Sequence, residues 1–225
     1  MKKTIGNPNL KNQYLIDLIK KTKLNYYYIK NNKDFRDRIL EDISGEDIVV
    51  DCGKAMREKF QYIKCKTVET LDAYDYGDYP DIICDLCSEN VIELQNRYDK
   101  IISIAVLEHV YDPAKAINNL KTMLKTNGVL YGYVPYIYPY HAPKNLEFQD
   151  YYRFSKDSLA YLFREFKDVE LFPVRGRISS SLNYMFPRRW KKYIEKTGIN
   201  ILLDKIYSDE EHAKKCSGFN FIVKK

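Results

Sequence analysis

Three acidic residues follow short apolar runs at intervals that suit a nucleoside-like ligand. Asp51 and Gly53 come directly after the run IVV. Asp72 lies 21 residues beyond Asp51, and Asp85 and Leu86 follow the next short apolar run. A glycine lets the backbone approach a ligand closely, and a carboxylate about 20 residues further on can accept bonds from both hydroxyls of a ribose. Asp85 and Leu86 would then meet the amino group and the ring face of an adenine.

The elements that must position these residues alternate along the chain. Apolar runs predict seven strands, at 48–52, 67–72, 81–85, 100–106, 129–135, 168–174 and 218–225. Helical patterns lie between them, at 54–60, 89–97, 112–125 and 157–166. This alternation predicts an α/β fold, a Rossmann-like doubly wound seven-stranded mainly parallel sheet with helices on both faces. Ligands bind such sheets at the carboxyl ends of the strands.

Two segments stand apart from the alternation. Residues 1–45 carry amphipathic helical patterns, so we expect an N-terminal helical segment before a sheet domain over 46–225. Residues 175–216 have little strand character, so we expect a mostly helical insertion before the last strand.

Several segments together resemble class I S-adenosylmethionine (SAM)-dependent methyltransferases. They are VVDCGKA, ETLD, CDLC and VLEHVYDPAKAINNLKTMLKTNGVL, and the resemblance runs from about 46 to 172, with the terminal strand. It implies SAM as the cofactor, bound by Asp51, Gly53, Ala55, Asp72, Asp85, Leu86 and Glu108. The stretch VPYIYPYHAPKNLEFQDYYRFS is similar to a sub-group that modifies sugars in surface polysaccharides such as capsules. It implies methyl transfer to a hydroxyl of a sugar or a sugar-like acceptor.

The first loop departs from the family pattern. It has one full glycine, with Ala55 in place of the second and Arg57 in place of the third. A dinucleotide pyrophosphate needs close backbone approach at several points, so the loop disfavours NAD(P). SAM places only an amino acid and a ribose there, and Gly53 with Ala55 can suffice. The departure also leaves open a non-catalytic descendant of the fold that acts as a binding or partner protein.

A general base near the acceptor oxygen would assist methyl transfer to a hydroxyl, and a neutral histidine suits this near pH 7. His141 follows the fifth strand and is our first catalytic candidate, with His109 as the second. The substrate candidates are Tyr138, Tyr140, Asp150, Tyr152 and Arg153. Structural alternatives stay open: a backbone-bonded loop role for His141, packing roles for Glu108 and His109, and an ion pair for Asp150 and Arg153.

The composition and the charge distribution limit the classes of partner that we expect. The net charge is +6, and no long basic run occurs in the first 170 residues, so nucleic acid is not expected. A basic patch is formed by the run RRWKKY at 188–193 with Arg175 and Arg177. It is either a solvated helical face or a binding surface for an anion. That anion would be a phosphorylated or nucleotide-linked acceptor, or an anionic membrane surface. The start MKKTIGNPNLKNQ turns polar where a signal peptide would become apolar, which predicts a cytoplasmic protein.

The cysteines do not predict a metal site. Cys84 and Cys87 form a CxxC pair, but the total of five is odd and neither a second pair nor a histidine cluster lies nearby. We therefore expect small buried thiols, and we predict no metal.

Overall fold

The computed structural model describes residues 13–24, 32–53, 63–144, 147–207 and 209–225. Its strands are β1 (Lys23–Leu24), β2 (Ile48–Cys52), β3 (Thr67–Asp72), β4 (Ile82–Ile83), β5 (Tyr98–Ile104), β6 (Leu124–Pro135), β7 (Asp168–Val174) and β8 (Gly218–Lys224). They form one sheet in the order β1-β7-β8-β6-β5-β2-β3-β4. All pairs are parallel except those of β8, which is antiparallel to β6 and to β7. The mainly parallel Rossmann-like sheet is confirmed.

Helices cover both faces of the sheet. They are α1 (Gln13–Lys21), α2 (Asn32–Asp42), α3 (Pro113–Met123), α4 (Lys156–Leu162), α5 (Arg177–Met185), α6 (Arg188–Thr197), α7 (Ile199–Asp204) and α8 (Asp209–Lys215). Val49 of β2 shares an apolar cluster with Phe35 of α2, whereas Val50 shares another with Leu120 of α3. Successive strand residues point to opposite faces, so β2 contributes to the apolar packing on both faces of the sheet. None of the helices in the described ranges has the length and apolar content needed to span a membrane.

The chain reverses its direction across the sheet between β2 and β5. From β2 it steps to β3 and β4 on one side, and then returns to β5 on the other side of β2. Cys52 therefore pairs with Leu71 of β3 and with Ser103 of β5. A crevice at such a switch point is where doubly wound sheets bind ligands.

The predicted helix starts are confirmed by their caps. The Asp112 side chain accepts a hydrogen bond from Lys115 N (3.0 Å), and Pro113 occupies the first turn of α3. Ser155 Oγ accepts one from Ser158 N (3.2 Å) and caps α4. Both side chains satisfy a backbone donor that the first turn of a helix leaves unpaired.

The boundaries differ from the prediction in several places. The sheet has eight strands because β1, which lies in the predicted helical segment 1–45, pairs with β7 at the edge. The strand predicted at 81–85 is only β4, because the chain turns at Asp85, whose carbonyl accepts from Ser88 N (2.8 Å). The strand predicted to end at 106 stops at Ile104, because Ala105 has φ +57°. Its first residue is Tyr98 and β6 begins at Leu124, both earlier than expected. The helix predicted at 54–60 lies outside the described residues.

The segment 175–216 is mostly helical, as predicted, and is anchored through a buried carboxylate. Asp204 at the end of α7 is 2% exposed. It accepts hydrogen bonds from Gly176 N (3.1 Å) and Ile178 N (2.7 Å), and also from the Ser179 hydroxyl. The start of α5 is thereby joined to α7.

Candidate active site

The end of β2 forms the first wall of the crevice. Gly53 has φ +89°, a conformation that favours glycine. A Cβ built there would approach Val106 Cγ2 to 2.6 Å, so the loop and the segment after β5 are in close contact. Asp51 is 2% exposed, and its Oδ1 has no hydrogen-bond partner among the described residues. Burial raises the pKa of this carboxyl well above its usual range.

Asp72 lies at the end of the neighbouring strand β3. Its Oδ1 accepts a hydrogen bond from Tyr74 N (3.2 Å), and its carbonyl accepts one from Cys84 N (2.8 Å). The second bond joins the loop after β4 to the end of β3. Three consecutive strands thus bring Asp51, Asp72 and Asp85 to one edge, as the cofactor prediction requires.

The loop after β4 is ordered around Asp85. The Asp85 carboxylate accepts hydrogen bonds from Cys87 N (2.8 Å) and from the Tyr111 hydroxyl (3.3 Å), and the residue is exposed at the edge. Leu86 instead packs in the core at 4% exposure. Its contact with an adenine stays a prediction, as do the cofactor roles of the acids; Ala55 and Arg57 lie outside the described residues. Cys84 and Cys87 are free thiols.

Glu108 lies in the short segment that follows β5. It is 1% exposed, and its Oε2 has no hydrogen-bond partner within the described ranges. Burial raises the pKa of its carboxyl to about 8. Its backbone carbonyl accepts from Tyr151 N (2.8 Å) and Tyr152 N (3.2 Å). The DYYRF segment is therefore fixed to the end of β5.

The two candidate histidines lie side by side. The ring centroids of His109 and His141 are 4.9 Å apart. His109 Nδ1 is 2.6 Å from the Gln149 carbonyl oxygen, and burial lowers the pKa of this ring. His141 Nδ1 is 3.1 Å from Asp150 Oδ2 and 3.2 Å from the Pro139 carbonyl oxygen. Both rings thus turn Nδ1 toward the loop and Nε2 toward Glu108.

Asp150 and Arg153 form the ion pair that the sequence left open as an alternative to substrate contacts. The Asp150 side chain is fully buried. Burial alone would raise the pKa of Asp150, but hydrogen bonds from Arg153 and from His141 N outweigh it and hold that pKa at about 2. Arg153 also donates to the carbonyls of Tyr138, Pro139 and Tyr152. All five guanidinium N–H groups are engaged, and a substrate contact by this pair stays a prediction.

A cavity of about 270 Å³ opens beside His141 at the ends of β5, β6 and β7. Its walls combine polar and apolar groups: Ala105, Glu108, Tyr133, Pro135, Tyr138, His141, Val174, Arg175 and Ser217. Tyr138 and His141 were expected beside the acceptor, whereas Glu108 was expected to bind the cofactor. Tyr140 is 70% exposed, and the Tyr152 hydroxyl donates to the Tyr111 carbonyl (2.9 Å). Neither of these two tyrosines is in the cavity wall.

Sequence reasoning missed Tyr133 and Ser217 and placed Arg175 only in a basic patch. Arg175 and Ser217 flank β7 and β8, whose antiparallel pairing brings the end of one to the start of the other. Arg175 has φ +60° and lies in the cavity wall, and the Arg177 guanidinium stacks on Tyr207, 5.4 Å from its ring centroid. The signal that could have found Arg175 is its position directly after a predicted strand.

Comparison with known proteins agrees with this geometry. A family model described as a methyltransferase domain matches residues 25–202. A SAM-dependent methyltransferase of Archaeoglobus fulgidus has a TM-score of 0.53 at 12% identity, covering 89% of this chain and 100% of its own. One from Mesorhizobium loti has a TM-score of 0.51 at 14% identity, covering 85% and 96%. The [4+2]-cyclase SpnF has a TM-score of 0.52 at 13% identity, covering 95% and 92%. No curated protein sequence matches the chain.

The cofactor of this family fits the residues present. The Asp51 oxygen without a partner and the glycine at φ +89° lie where the switch point binds ligands. SAM supplies a methyl group on a sulfonium. The chain belongs to the class I SAM-dependent methyltransferases.

Proposed function

We propose that the protein transfers the SAM methyl group to a hydroxyl of a sugar or sugar-like acceptor held in the cavity beside His141. The single observation that carries the proposal is the Asp150–His141 pair in the wall of that cavity. Asp150 orients the ring through Nδ1, so Nε2 is left to accept a proton. A carboxylate that fixes the tautomer of a histidine base is a recurring arrangement in catalysis.

The residues around the base suit a small polar acceptor. Tyr133, Tyr138 and Ser217 offer hydroxyl groups, and the Tyr138 ring packs edge-on against His141 at 5.4 Å. Aromatic faces and hydroxyls together can bind the alternating apolar and polar faces of a sugar ring. Arg175 adds a cation for a phosphorylated or nucleotide-linked acceptor. Together with the sequence resemblance, these groups support a role in surface polysaccharide biosynthesis.

The chain contributes positioning and proton acceptance. Asp51, Gly53, Asp72 and Asp85 would hold the cofactor at the ends of β2 to β4, and the cavity at the ends of β5 to β7 would hold the acceptor. Holding the two reactants in line can lower the barrier by several kcal/mol. His141 would accept the proton as the hydroxyl oxygen attacks, and His109 would support its ring.

The test uses methyl-labelled SAM with a panel of nucleotide sugars and lipid-linked saccharides. We expect one labelled product, and a loss of about 10²- to 10⁴-fold in turnover in His141→Ala with SAM affinity changed less than about twofold. Glu89→Gln, which alters an exposed ion pair with Lys115, is the matched control. A loss of SAM binding in His141→Ala would make His141 a structural loop residue and refute its role as base.

The alternative is a non-catalytic protein of the same fold that binds SAM or a partner. The first loop is the reason to keep it, because Ala55 and Arg57 stand where the family pattern has glycines. This alternative would be favoured if the protein binds SAM but labels no acceptor, even when proteins that co-purify with it are added to the assay.

We also propose that the helices α5 to α7 contact an anionic membrane surface. Four apolar or aromatic side chains on these helices and one in the turn after α7 are each more than 60% exposed: Met185, Trp190, Tyr193, Leu202 and Ile206. The sequence of α6 adds five basic residues and one acid. Binding of a phosphate group would require only the basic residues, whereas binding to a lipid surface uses exposed apolar and basic residues together. The combination on these helices therefore favours a membrane surface.

Trp190 is the only tryptophan of the chain, so its fluorescence reports on this surface directly. We expect a blue shift with phosphatidylglycerol vesicles, a smaller one with phosphatidylcholine vesicles, and reversal by salt. No shift with either vesicle, or a shift produced by inorganic phosphate alone, would refute membrane contact.

A further inference from the structure

Three acceptor groups from two distant parts of the chain meet beside the cavity. Glu108 Oε1 lies 3.8 Å from His109 Nε2 and 3.9 Å from His141 Nε2. One ligand atom from each side chain lies within 4.8 Å of the other two. Glu108 is 1% exposed, and its second oxygen has no hydrogen-bond partner in the described part of the chain. A buried carboxyl oxygen without a hydrogen-bond partner is costly unless something else binds it.

The tautomers of both histidines follow from their Nδ1 partners. Carbonyl oxygens only accept hydrogen bonds, so the Gln149 carbonyl requires a proton on Nδ1 of His109, and the Pro139 carbonyl requires one on Nδ1 of His141. The neutral rings then carry a lone pair on Nε2. The Nε2 lone pairs of both histidines therefore lie near Glu108 Oε1. The distances of 3.8 and 3.9 Å are too long for hydrogen bonds.

We propose that Glu108, His109 and His141 bind a divalent transition-metal ion. Two imidazoles and one carboxylate are a ligand set that zinc and similar ions prefer, whereas magnesium and calcium prefer oxygen ligands. Tetrahedral ligands about 2.0–2.1 Å from zinc are about 3.4 Å apart, so the two pairs with Glu108 need to shorten by about half an ångström. The adjoining cavity leaves the remaining position open to water or an acceptor oxygen.

The residues behind the ligands support this assignment. Histidine ligands of metals usually donate their other ring N–H to a carboxylate or a backbone carbonyl. His141 has Asp150 in that position and His109 has the Gln149 carbonyl. Arg153 in turn holds Asp150. Sequence reasoning sought a metal site only around the cysteines and predicted none, and Glu108 and His141 are 33 residues apart in the chain.

The site rests on the proposed function and changes one part of it, because a metal on Nε2 would make His141 a ligand instead of a base. The base role then belongs to the metal-free protein, and the metal-loaded protein would hold the acceptor oxygen on the ion. Binding of the metal alone is measurable without any acceptor, so failure of this site and failure of methyl transfer can be told apart.

The experiment titrates untagged, reduced, metal-free protein with Zn²⁺ by calorimetry and with Co²⁺ by visible absorption. We expect one ion per chain and tetrahedral or five-coordinate Co²⁺ bands. Glu108→Gln should lose at least 100-fold in affinity, and Asp150→Asn should lose about 10- to 100-fold as an outer partner. Circular dichroism and urea unfolding of each variant check that the fold is retained.

The cysteines provide the essential control, since CxxC thiols also bind zinc. The Cys84→Ser/Cys87→Ser protein should bind the ion as the wild type does. Loss of binding in that protein, or equal affinity in wild type and Glu108→Gln, would overturn the proposal.

Discussion

Arg153→Met tests the ion pair that holds the loop of His141. The Asp150 side chain is fully buried, and Arg153 supplies two of its hydrogen bonds and donates to three carbonyls as well. Removing one partner of a buried pair typically costs about 3–5 kcal/mol, because the other charge stays buried without it. The Arg153 side chain is 26% exposed, so water can partly replace it. We therefore expect a loss of about 3 kcal/mol in the free energy of unfolding.

The assay is urea unfolding of Arg153→Met, Asp150→Asn and the double variant. The double variant should lose about 2 kcal/mol less than the sum of the single losses, because the two groups interact. Arg164→Met is the matched control: its ion pair with the exposed Glu165 is long (3.8 Å), and its other contacts are to the carbonyl and the ring of Tyr161, so its loss should be about 1 kcal/mol. Equal losses for Arg153→Met and Arg164→Met would show that the buried pair adds nothing to stability.

Three further changes test other parts of the molecule. Burial raises the pKa of Asp51 in the folded protein, so the unfolded chain loses this proton first as the pH rises above about 4. Urea unfolding across pH should therefore show the wild type losing stability relative to Asp51→Asn, and parallel pH profiles would contradict this. Asp85→Ala should abolish the preference for SAM over an N6-dimethylated analogue in competition binding, and an intact preference would place the adenine elsewhere. Asp204→Ala should cost about 2–4 kcal/mol of unfolding free energy, since the backbones of Gly176 and Ile178 lose their acceptor; a loss below about 1 kcal/mol would contradict the anchor.

The sheet could be predicted because its signal is local. Buried parallel strands need continuous apolar runs, and KIISIAV and IVV provide them. The two-residue strand β1 was missed because its pairing with β7 depends on tertiary contact and on no pattern of its own. The strand end at Ile104 was missed because the positive φ of Ala105 has no glycine to mark it.

The candidate site was only partly predictable. Asp51, Gly53 and Asp72 could be placed at the crevice because each lies at or beside the end of a strand, and the ends of parallel strands meet at one edge. The cavity wall was not, because Arg175 and Ser217 meet only through the antiparallel pairing of β7 and β8. The pairing of Asp150 with Arg153 could be proposed from charge, but only the fold distinguishes it from a substrate contact.

Calorimetric titration of the protein with SAM tests the central claim most directly. The account predicts one SAM per chain and a loss of about 1–3 kcal/mol, or about 5- to 150-fold in affinity, in Asp72→Ala, because the ribose hydroxyls lose a charged acceptor. Asp75→Ala removes an exposed acid that accepts from Gly77 N (2.8 Å) in the same turn, and this variant should bind SAM as the wild type does. No binding at millimolar SAM, or equal affinity in Asp72→Ala and wild type, would contradict the account.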